Sequence, residues 1–386
     1  MRIAYCTDVR LPSERAHGHQ IAQVCDALVR LGHAVTVFAP HRRNPVKASY
    51  HEYYRAEAAV KLEHLGSFDP IDHRLLPRCL QLPVLHRSLR REYPSALRAG
   101  RFDLAYTRSP ALIRTLTASG IPTVLELHQI PRRHHLGFIG ACNRCARVLC
   151  LTSAMRDELR RRGVREEILA VEGDAVDLRR FTPAPDATEG RRLLGIRTDR
   201  LVVGYVGRLK TLGMEKGVSH ILQALARLKH ERAFFGCIVG GPDGDRREYE
   251  QLATSLGLGA EDVAFPGEIP AHDVPQALAA CDILAMPFPD LPHYRTHMSP
   301  LKMFEYMAAG RPIVTSDLPT VRDVLSEETA VFCAPGEVES LAGALAWIRA
   351  NPDTAAARAA AARTLVTYHT WEERMKRALH GLPHSA

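Results

Sequence analysis

Short apolar runs alternate with helix-length amphipathic segments in residues 1–162, and this alternation constrains the fold more than any other feature of the chain. The apolar runs predict strands at residues 2–7, 33–39, 60–65, 103–107, 122–128 and 147–152. The amphipathic segments predict helices at residues 18–31, 80–99, 111–119 and 153–162. Such alternation implies a parallel sheet with helices on both faces.

A stretch rich in Pro, Gly and small residues, residues 181–190, interrupts this pattern and is typical of a linker. A second series of strand-like runs follows at residues 201–207, 233–239, 263–265, 283–287, 312–315 and 330–333. The sequence therefore predicts an α/β chain of two doubly wound, Rossmann-like domains, residues 1–183 and 192–366. Ligands of such sheets bind at the carboxyl ends of the strands, so we expect a site in a cleft between the domains.

Composition narrows the class of protein. Hydrophobic residues make up 46% of the 386 residues and charged residues 24%, which is the balance of a globular protein. No apolar run approaches the length of a spanning helix, and Asp8 comes too early for a signal-peptide core. We therefore expect a cytoplasmic protein, with Cys142 and Cys145 as buried thiols rather than zinc ligands.

The net charge of +8 is placed unevenly, because residues 1–183 carry all of the positive excess. Arginines cluster at residues 87–91, near Arg98, and again at residues 160–165. Such a field favours an anionic membrane surface or an anionic acceptor, although arginine-rich solvated helices are an equal alternative. No nucleic-acid-binding motif accompanies the arginines, so no nucleic-acid partner is expected.

Two cations flank a predicted strand-to-helix turn in the second half. The strand at residues 201–206 leads into Gly207 and Arg208, and a helix is expected to begin soon after Lys216. Amides at a helix start and basic side chains together suit a diphosphate. Taken alone, the pair is explained equally well by surface cations.

A second element lies at residues 299–314, where a helix is predicted from about Pro300. Its first-turn amides would lie beside the phosphate site. Glu305 lies one to two turns into the helix, where a carboxylate could accept both hydroxyls of a ribose. Periodicity alone would make Glu305 an exposed helix residue.

Taken together, these motifs resemble the family 4 retaining glycosyltransferases of the GT-B fold. In the second half the resemblance rests on Gly-Arg-Leu followed by Lys-Gly, and on residues 239–242, 263–267, 281–283 and 299–314. In the first half it rests on Gly18 and on residues 27–35, 125–128 and 174–181, with residues 370–374 near the end of the chain. The match covers nearly the whole chain.

The resemblance implies roles for particular residues of the second half. Arg208 and Lys216 would hold the diphosphate of a nucleotide-sugar donor. Amides around Ser299 and Leu301 would assist, and Glu305 would bind the ribose.

In the first half, the resemblance implies that Gly18 lies on the loop after the first strand and lets that loop approach the phosphate and the sugar. His128 would lie near the transferred sugar, although a half-buried strand-end histidine is the alternative. A helix over residues 369–382 would pack back on the first domain.

Two departures from the family pattern affect the expected donor site. Many members carry a Glu eight residues before the ribose Glu, and His297 occupies that position here, where it would be a candidate sugar contact. The segment between Arg208 and Lys216 is also three residues longer than usual, so residues 210–212 would reshape the loop over the phosphates.

The expected reaction transfers a hexose-type sugar from a UDP- or GDP-sugar to an acceptor hydroxyl or amine, with retention, in the synthesis of a glycan, a glycolipid or a secondary metabolite. No obligatory metal or other cofactor is expected, and the acidic triplet Asp243-Gly244-Asp245 is interpreted as a plain loop. A nucleotide-sugar epimerase and a non-catalytic two-lobed binding protein are the alternatives. A dinucleotide oxidoreductase is disfavoured, because no G-x-G-x-x-G follows a predicted strand.

Overall fold

A computed structural model describes residues 1–71, 76–131, 136–211 and 213–382. Contacts divide the chain into one unit of Met1–Gly173 with Trp371–Ala386 and a second unit of Asp174–Thr370. The division thus falls earlier than the expected boundary at residue 183, because Val176 and Phe181 are buried in the apolar core of the second unit.

The first unit contains a parallel sheet of seven strands in the order β3-β2-β1-β4-β5-β6-β7. The strands are β1 (Arg2–Cys6), β2 (Ala34–Pro40), β3 (Lys61–Leu65), β4 (Leu104–Thr107), β5 (Thr123–Leu127), β6 (Arg147–Cys150) and β7 (Leu169–Val171). Its first six helices are α1 (Ala16–Arg30), α2 (Tyr50–Tyr54), α3 (Arg78–Gly100), α4 (Ile113–Thr117), α5 (Leu136–Cys142) and α6 (Ser153–Arg161). The chain reverses its direction of winding between β1 and β4, where ligands of such sheets bind.

The second unit contains a parallel sheet of six strands in the order β12-β11-β8-β13-β14-β15. The strands are β8 (Leu201–Val206), β11 (Phe234–Val239), β12 (Val263–Gly267), β13 (Ile283–Met286), β14 (Ile313–Ser316) and β15 (Val331–Cys333). A separate antiparallel ribbon pairs β9 (Lys210–Thr211) with β10 (Met214–Glu215). The order of winding reverses between β8 and β13.

Helices cover this second sheet as well. They are α7 (Ala187–Leu193), α8 (Val218–Leu228), α9 (Asp243–Ser255), α10 (Val274–Ala279), α11 (Pro292–Thr296), α12 (Leu301–Ala309), α13 (Pro319–Arg322), α14 (Val338–Ala350) and α15 (Pro352–Leu365). Helix α7 begins within the expected linker, where the side chain of Asp186 accepts a hydrogen bond from the Glu189 amide and caps the helix start. The central strands of both sheets are apolar along almost their whole length, as strands covered on both faces must be.

A last helix, α16 (Trp371–Leu379), belongs to the first unit and packs on α1. Trp371 and Met375 are buried, and Arg30 of α1 forms an ion pair of 2.5 Å with Glu372. Across the described ranges, no helix combines the length and the apolar character needed to cross a bilayer. Cys142 and Cys145 are buried free thiols beside the start of β6.

Candidate functional site

The turn after β8 is the centre of the candidate site in the second unit. Gly207 has a φ of +138°, and Gly240 after the neighbouring β11 has a φ of +147°; a Cβ on Gly240 would lie 2.0 Å from the Gly207 carbonyl oxygen. Glycines therefore let the two turns approach each other closely. A cavity of about 210 Å³ opens there, lined by Val206, Gly207, Arg208, Val239, Gly240, Gly241, Glu268, Ile269 and Val274.

Arg208 is exposed, whereas Lys216 is partly buried at the end of the β9–β10 ribbon. Burial and the neighbouring charge of Arg208 lower the pKa of Lys216 to about 8. The next residue, Gly217, has a φ of +87° and starts α8, with its Cα packed so closely that a Cβ would lie 1.9 Å from the Pro287 carbonyl oxygen. The ribbon and this tight contact hold Lys216 within the electrostatic reach of Arg208.

Lys302 lies behind the same turn and is only 7% exposed. Its Nζ is 3.4 Å from the centroid of the Tyr205 ring, and Tyr205 in turn donates a hydrogen bond of 2.7 Å to the Arg208 carbonyl oxygen. Burial and the charge of Lys216 lower the pKa of Lys302 well below its usual range, while Glu305 acts in the opposite direction. The second unit thus brings three basic side chains to one strand-to-helix turn.

Glu305 lies one turn after Lys302 on α12 and is paired with Arg180. The Arg180 Nη1 donates to the Glu305 Oε1 at 3.1 Å, and the Glu305 side chain is 22% exposed. Burial raises the pKa of Glu305 even though Arg180 opposes this shift. A carboxylate in this position accepts hydrogen bonds and, as the ion pair demonstrates, is reachable by a donor from outside its own helix.

The other predicted residues of the second unit surround the start of α12. The Ser299 hydroxyl accepts a hydrogen bond of 2.7 Å from the Asp174 amide, and Leu301 is the first residue of the helix. His297 follows α11, and its ring stacks on that of His293 with centroids 5.9 Å apart. Burial, with a smaller effect of Lys216, lowers the pKa of His293, so this histidine pair borders the cationic turn.

The acidic triplet at residues 243–245 forms the first turn of α9 and is not the plain loop that was expected. Acidic side chains are favoured at a helix N-terminus, which explains the helical start. Asp245 lies 3.5 Å from the Nζ of Lys210, which also contacts Glu248. Of the lengthened loop, residues 210 and 211 form β9, whereas residue 212 lies outside the described residues.

In the first unit, His128 follows β5 and is anchored by a buried carboxylate. The His128 Nε2 lies 2.7 Å from the Glu126 Oε1, and Glu126 is fully buried. Burial and the charge of Arg108 lower the pKa of His128 to about 4, so the ring is neutral at pH 7. Since a carboxylate only accepts hydrogen bonds, Nε2 carries the ring proton and Nδ1 is left as an acceptor.

Glu126 is itself the hub of a buried polar cluster. Arg374 of α16 lies 3.0 Å from it, the Gln20 Nε2 donates to it at 2.6 Å, and the Tyr106 hydroxyl donates a short hydrogen bond. Burial alone would raise the pKa of Glu126, but Arg374 and His128 hold it well below the usual range. The charged form is therefore stable, and its partners fix the orientation of the His128 ring.

A cavity of about 450 Å³ lies against this histidine at the carboxyl edge of the first sheet. Its lining residues are Arg108, Pro110, His128, Gln129, Ile130 and Pro131. Arg108 donates a hydrogen bond of 2.7 Å to the Gln20 side chain, which orients it from behind. The cavity therefore offers a cation, a hydrogen-bond acceptor and an apolar wall.

Gly18 does not lie on the loop after β1, where it was expected, but in the first turn of α1. A Cβ there would lie 2.2 Å from the Tyr54 hydroxyl oxygen and 2.9 Å from the Ser13 carbonyl oxygen. The Tyr54 hydroxyl bridges the Ser13 backbone, accepting at 2.6 Å and donating at 2.9 Å. A small residue at position 18 makes room for this bridge.

Sequence reasoning did not assign roles to Lys302, Arg180 or Glu126. Lys302 stood in the motif that contains Glu305, and its position one turn earlier on a mostly apolar helix was a usable signal. Glu126 and His128 are two residues apart in extended chain, so both side chains lie on the same face of the sheet. No local pattern could pair Arg180 with Glu305, since the two lie 125 residues apart.

Comparisons with known proteins place these features in a family. Residues 18–180 match the model of Glycosyltransferase Family 4, and residues 200–351 match that of Glycosyl transferases group 1. A 2-deoxystreptamine glucosyltransferase of Streptomyces kanamyceticus is 29% identical over 193 residues, which is 49% of this chain and 47% of that protein. A D-inositol 3-phosphate glycosyltransferase of Corynebacterium urealyticum is 30% identical over 218 residues, 54% of this chain and 49% of the relative. The chain thus spans about half the length of these relatives.

Solved structures agree on the fold over almost the whole chain. A glycosyltransferase from Rickettsia africae has a TM-score of 0.77 at 15% identity, covering 98% of this chain and 99% of its own. Anabaena HepE, crystallised with UDP and glucose, has a TM-score of 0.70 at 20% identity, covering 99% of this chain and 100% of its own. The predicted α/β class with two Rossmann-like sheets is confirmed. The chain belongs to the family 4 glycosyltransferases and has the GT-B fold.

Proposed function

We propose that the protein transfers a sugar from a nucleoside diphosphate sugar to an acceptor hydroxyl or amine, with the second unit holding the donor. The observation that carries this proposal is the convergence of Arg208 and Lys216 on the Gly207 turn. Two cations beside a cavity at the carboxyl end of a sheet suit a diphosphate. Glu305 supports a ribose at the same site, because its carboxylate accepts hydrogen bonds.

In the proposed reaction the bond from the anomeric carbon to the diphosphate oxygen breaks, and negative charge grows on the leaving diphosphate. Arg208 and Lys216 stabilise that charge from fixed positions, which is the kind of electrostatic preorganisation that contributes most to such steps. Loss of either cation should raise the barrier by about 2.7–4 kcal/mol, by analogy with loss of an oxyanion-hole donor. The acceptor bonds to the anomeric carbon on the face that the diphosphate leaves and passes its proton to the departing diphosphate oxygen, so the anomeric configuration is retained.

The proposed donor is a UDP- or GDP-hexose, and the binding of UDP and glucose by Anabaena HepE makes UDP-glucose the first one to test. A thermal-shift panel of UDP-, GDP-, ADP- and dTDP-sugars identifies the donor, since a ligand of the folded state raises the melting temperature. A shift with one of the four that is abolished in Arg208→Met supports the proposal. No shift with any of them contradicts it.

Two further assays separate transfer from the alternatives. If the donor is turned over only when an acceptor is present, the protein is a transferase. Conversion of the donor to an epimeric sugar without an acceptor indicates an epimerase. Binding of the donor without turnover indicates a binding protein. An anomeric NMR assignment of the product tests retention, which an inverted product would contradict.

The proposed chemistry needs no obligatory metal, because Arg208 and Lys216 supply the positive charge at the diphosphate. Asp243 and Asp245 are the acidic residues of the triplet that could attract a metal. Both lie at the start of α9 and form ion pairs with nearby basic side chains. Turnover that persists in EDTA supports this part of the proposal. Turnover that is lost in EDTA and restored by Mg²⁺ or Mn²⁺ contradicts it.

We also propose that the first unit holds an anionic membrane surface through α3. The arginines on and after α6 are neutralised by their neighbours: Arg156 by Asp157, Arg160 by Glu166, Arg161 and Arg162 by Glu158, and Arg165 by Glu167. By contrast, among the described residues no carboxylate forms an ion pair with the exposed α3 arginines Arg78, Arg87, Arg90, Arg91 and Arg98. Of the two arginine clusters, the one on α3 is therefore the one whose arginines have no ion-paired carboxylate among the described residues.

Exposed apolar side chains lie on and before the same helix. Leu80 is 48% exposed, and Leu82 and Phe68 are each 55% exposed. Apolar and basic side chains together on one helix suit the interface of an anionic bilayer, where each basic residue contributes about 1 kcal/mol.

Co-sedimentation with vesicles of phosphatidylglycerol and phosphatidylcholine tests the membrane proposal. Replacing Arg87, Arg90 and Arg91 by Gln should weaken binding about a hundredfold, at about 1 kcal/mol for each arginine. The matched control replaces the ion-paired Arg160, Arg161 and Arg165 by Gln and should leave binding unchanged. Binding that does not depend on the phosphatidylglycerol fraction, or that falls equally in both variants, contradicts the proposal.

A further inference from the structure

Lys302 is a buried lysine whose side-chain nitrogen contacts no carboxylate among the described residues. Its Nζ exposes less than 1 Å² and has no hydrogen-bond partner among the described residues. A buried amine without a hydrogen-bond partner is destabilising, whether it is neutral or charged, because burial removes the water that would solvate it. A lysine kept under these conditions calls for an explanation beyond packing, since a methionine would fill the space without the penalty.

The groups that face Lys302 come from every element packed around it. Tyr205 of β8 and Phe288, after β13, present their rings to the Nζ at 3.4 and 5.7 Å from the ring centroids. Lys216 acts on it as a like charge, and Glu305, on its own helix, as an opposite one. Glu305 is already paired with Arg180, so the carboxylate that acts on Lys302 is shared.

The position of the ammonium relative to the Gly207 turn supplies the explanation. A Cβ built on Gly207 would lie 3.5 Å from the Lys302 Cε and 3.6 Å from its Nζ. The Lys302 side chain thus lies against the Gly207 turn, and Gly207 and Arg208 of this turn line the cavity, whereas Lys302 does not. A ligand phosphate seated on this turn would be separated from Lys302 by little more than one glycine residue.

We propose that Lys302 is a third cation for the donor's diphosphate, acting from beneath the Gly207 turn. This inference rests on the proposed function and extends it to a residue that the sequence motifs did not assign. A diphosphate on the turn supplies the counter-charge that the protein itself lacks. Within the low-dielectric interior a charge at such a short range is felt strongly, even without direct contact.

Proton uptake follows from the same geometry. Without the ligand, burial and Lys216 favour the neutral amine of Lys302. When the diphosphate binds, the amine takes one proton from solvent and becomes an ammonium, so no other reactant is needed. Binding of the diphosphate is therefore coupled to protonation, a property that an inert packing lysine would not have.

Isothermal titration of the intact chain tests the proposal, with UDP, GDP, ADP, dTDP and inorganic pyrophosphate as probes. Lys302→Met should weaken binding of pyrophosphate and of the preferred nucleoside diphosphate about ten- to a hundredfold, the effect of one strong charge interaction. It should weaken binding of the matching nucleoside monophosphate much less. The exposed Lys61→Met is the control and should bind as the wild type does.

The melting temperature of the unliganded protein shows whether the substitution at Lys302 impairs folding. Lys302→Met should melt at or above the wild-type temperature, since it removes a buried amine that has no hydrogen-bond partner and keeps the packing against Tyr205. Titrations in buffers of different ionisation enthalpy should give a smaller proton uptake for the variant than for the wild type.

The outcomes separate the two claims. If the wild type binds none of the probes, both the proposed function and the role of Lys302 are overturned. If the wild type binds and Lys302→Met binds equally well, or loses monophosphate and diphosphate affinity alike, only the role of Lys302 is overturned. A variant that melts well below the wild type would make Lys302 a structural residue and also overturn its role.

Discussion

Replacing Arg374 by Met should strongly destabilise the first unit. Arg374 is 1% exposed and its guanidinium lies 3.0 Å from Glu126, which is fully buried. It also donates to the Gly173 carbonyl oxygen at 2.5 Å and to that of Glu172 at 3.3 Å. The substitution keeps the volume of the side chain but leaves the Glu126 carboxylate without its cation.

The expected loss of unfolding free energy is about 3–5 kcal/mol, the usual effect of removing one partner of a buried ion pair. The double variant Arg374→Met with Glu126→Gln should recover at least about 2 kcal/mol of the summed single effects, because it removes both charges. Arg377→Met is the matched control on the same helix. Its side chain is 43% exposed, so the loss of its pair with Glu172 should cost about 1 kcal/mol or less.

Urea unfolding followed by tryptophan fluorescence measures this effect in the right unit. The chain has two tryptophans, so a Trp347→Phe background leaves Trp371, on the same helix as Arg374, as the reporter of the first unit. An Arg374→Met variant within about 1 kcal/mol of the background protein would refute the reasoning, as would strictly additive effects of Arg374→Met and Glu126→Gln.

Three more outcomes are expected. Loss of the Lys216 proton from the free protein should lower the affinity for a nucleoside diphosphate by up to tenfold per pH unit above about pH 8, because the bound anion requires that proton. Proton uptake by Lys302 adds to this fall, and a flat titration profile between pH 7 and 9.5 argues against the role of Lys216. Gly217→Ala should destabilise by at least about 2 kcal/mol in thermal or urea unfolding through its positive φ and its contact with Pro287, more than Gly213→Ala, which has a positive φ but open space; equal losses would disprove the contact argument. In titration calorimetry, Glu305→Gln should weaken the binding of nucleoside diphosphates about tenfold and leave the binding of inorganic pyrophosphate unchanged. An equal loss of affinity for both ligands would show that Glu305 does not act through the ribose.

The architecture was predictable because it depends on local patterns. Buried parallel strands such as β1 and β8 read as short apolar runs, and amphipathic helices separate them. Short elements escaped prediction: the two-residue strands β9 and β10 are too brief to have a period, and α7 begins with a polar cap inside a stretch that looked like a linker. The division between units also depends on the burial of Phe181, which no local pattern reveals.

Whether a site residue could be predicted depended on how far apart in the sequence the contacting residues lie. Lys216 was predicted near Arg208 because one strand-to-helix turn contains both. Gly18 was misplaced, since its small size serves Tyr54, which lies on a different helix. The ion pair of Arg180 with Glu305 and that of Arg374 with Glu126 join residues more than one hundred positions apart, and only the folded chain brings them together.

In the proposed nucleotide pocket, Arg180 competes with the ligand for hydrogen bonds to the Glu305 carboxylate. A ligand that uses the Glu305 carboxylate must displace or share a guanidinium that already holds it at 3.1 Å. A ribose has two adjacent hydroxyls and can donate two hydrogen bonds to the carboxylate in place of those from the guanidinium. A 2′-deoxyribose has one hydroxyl at this place and can donate only one. Arg180 would thereby sharpen discrimination between ribonucleotides and deoxyribonucleotides through its hold on Glu305.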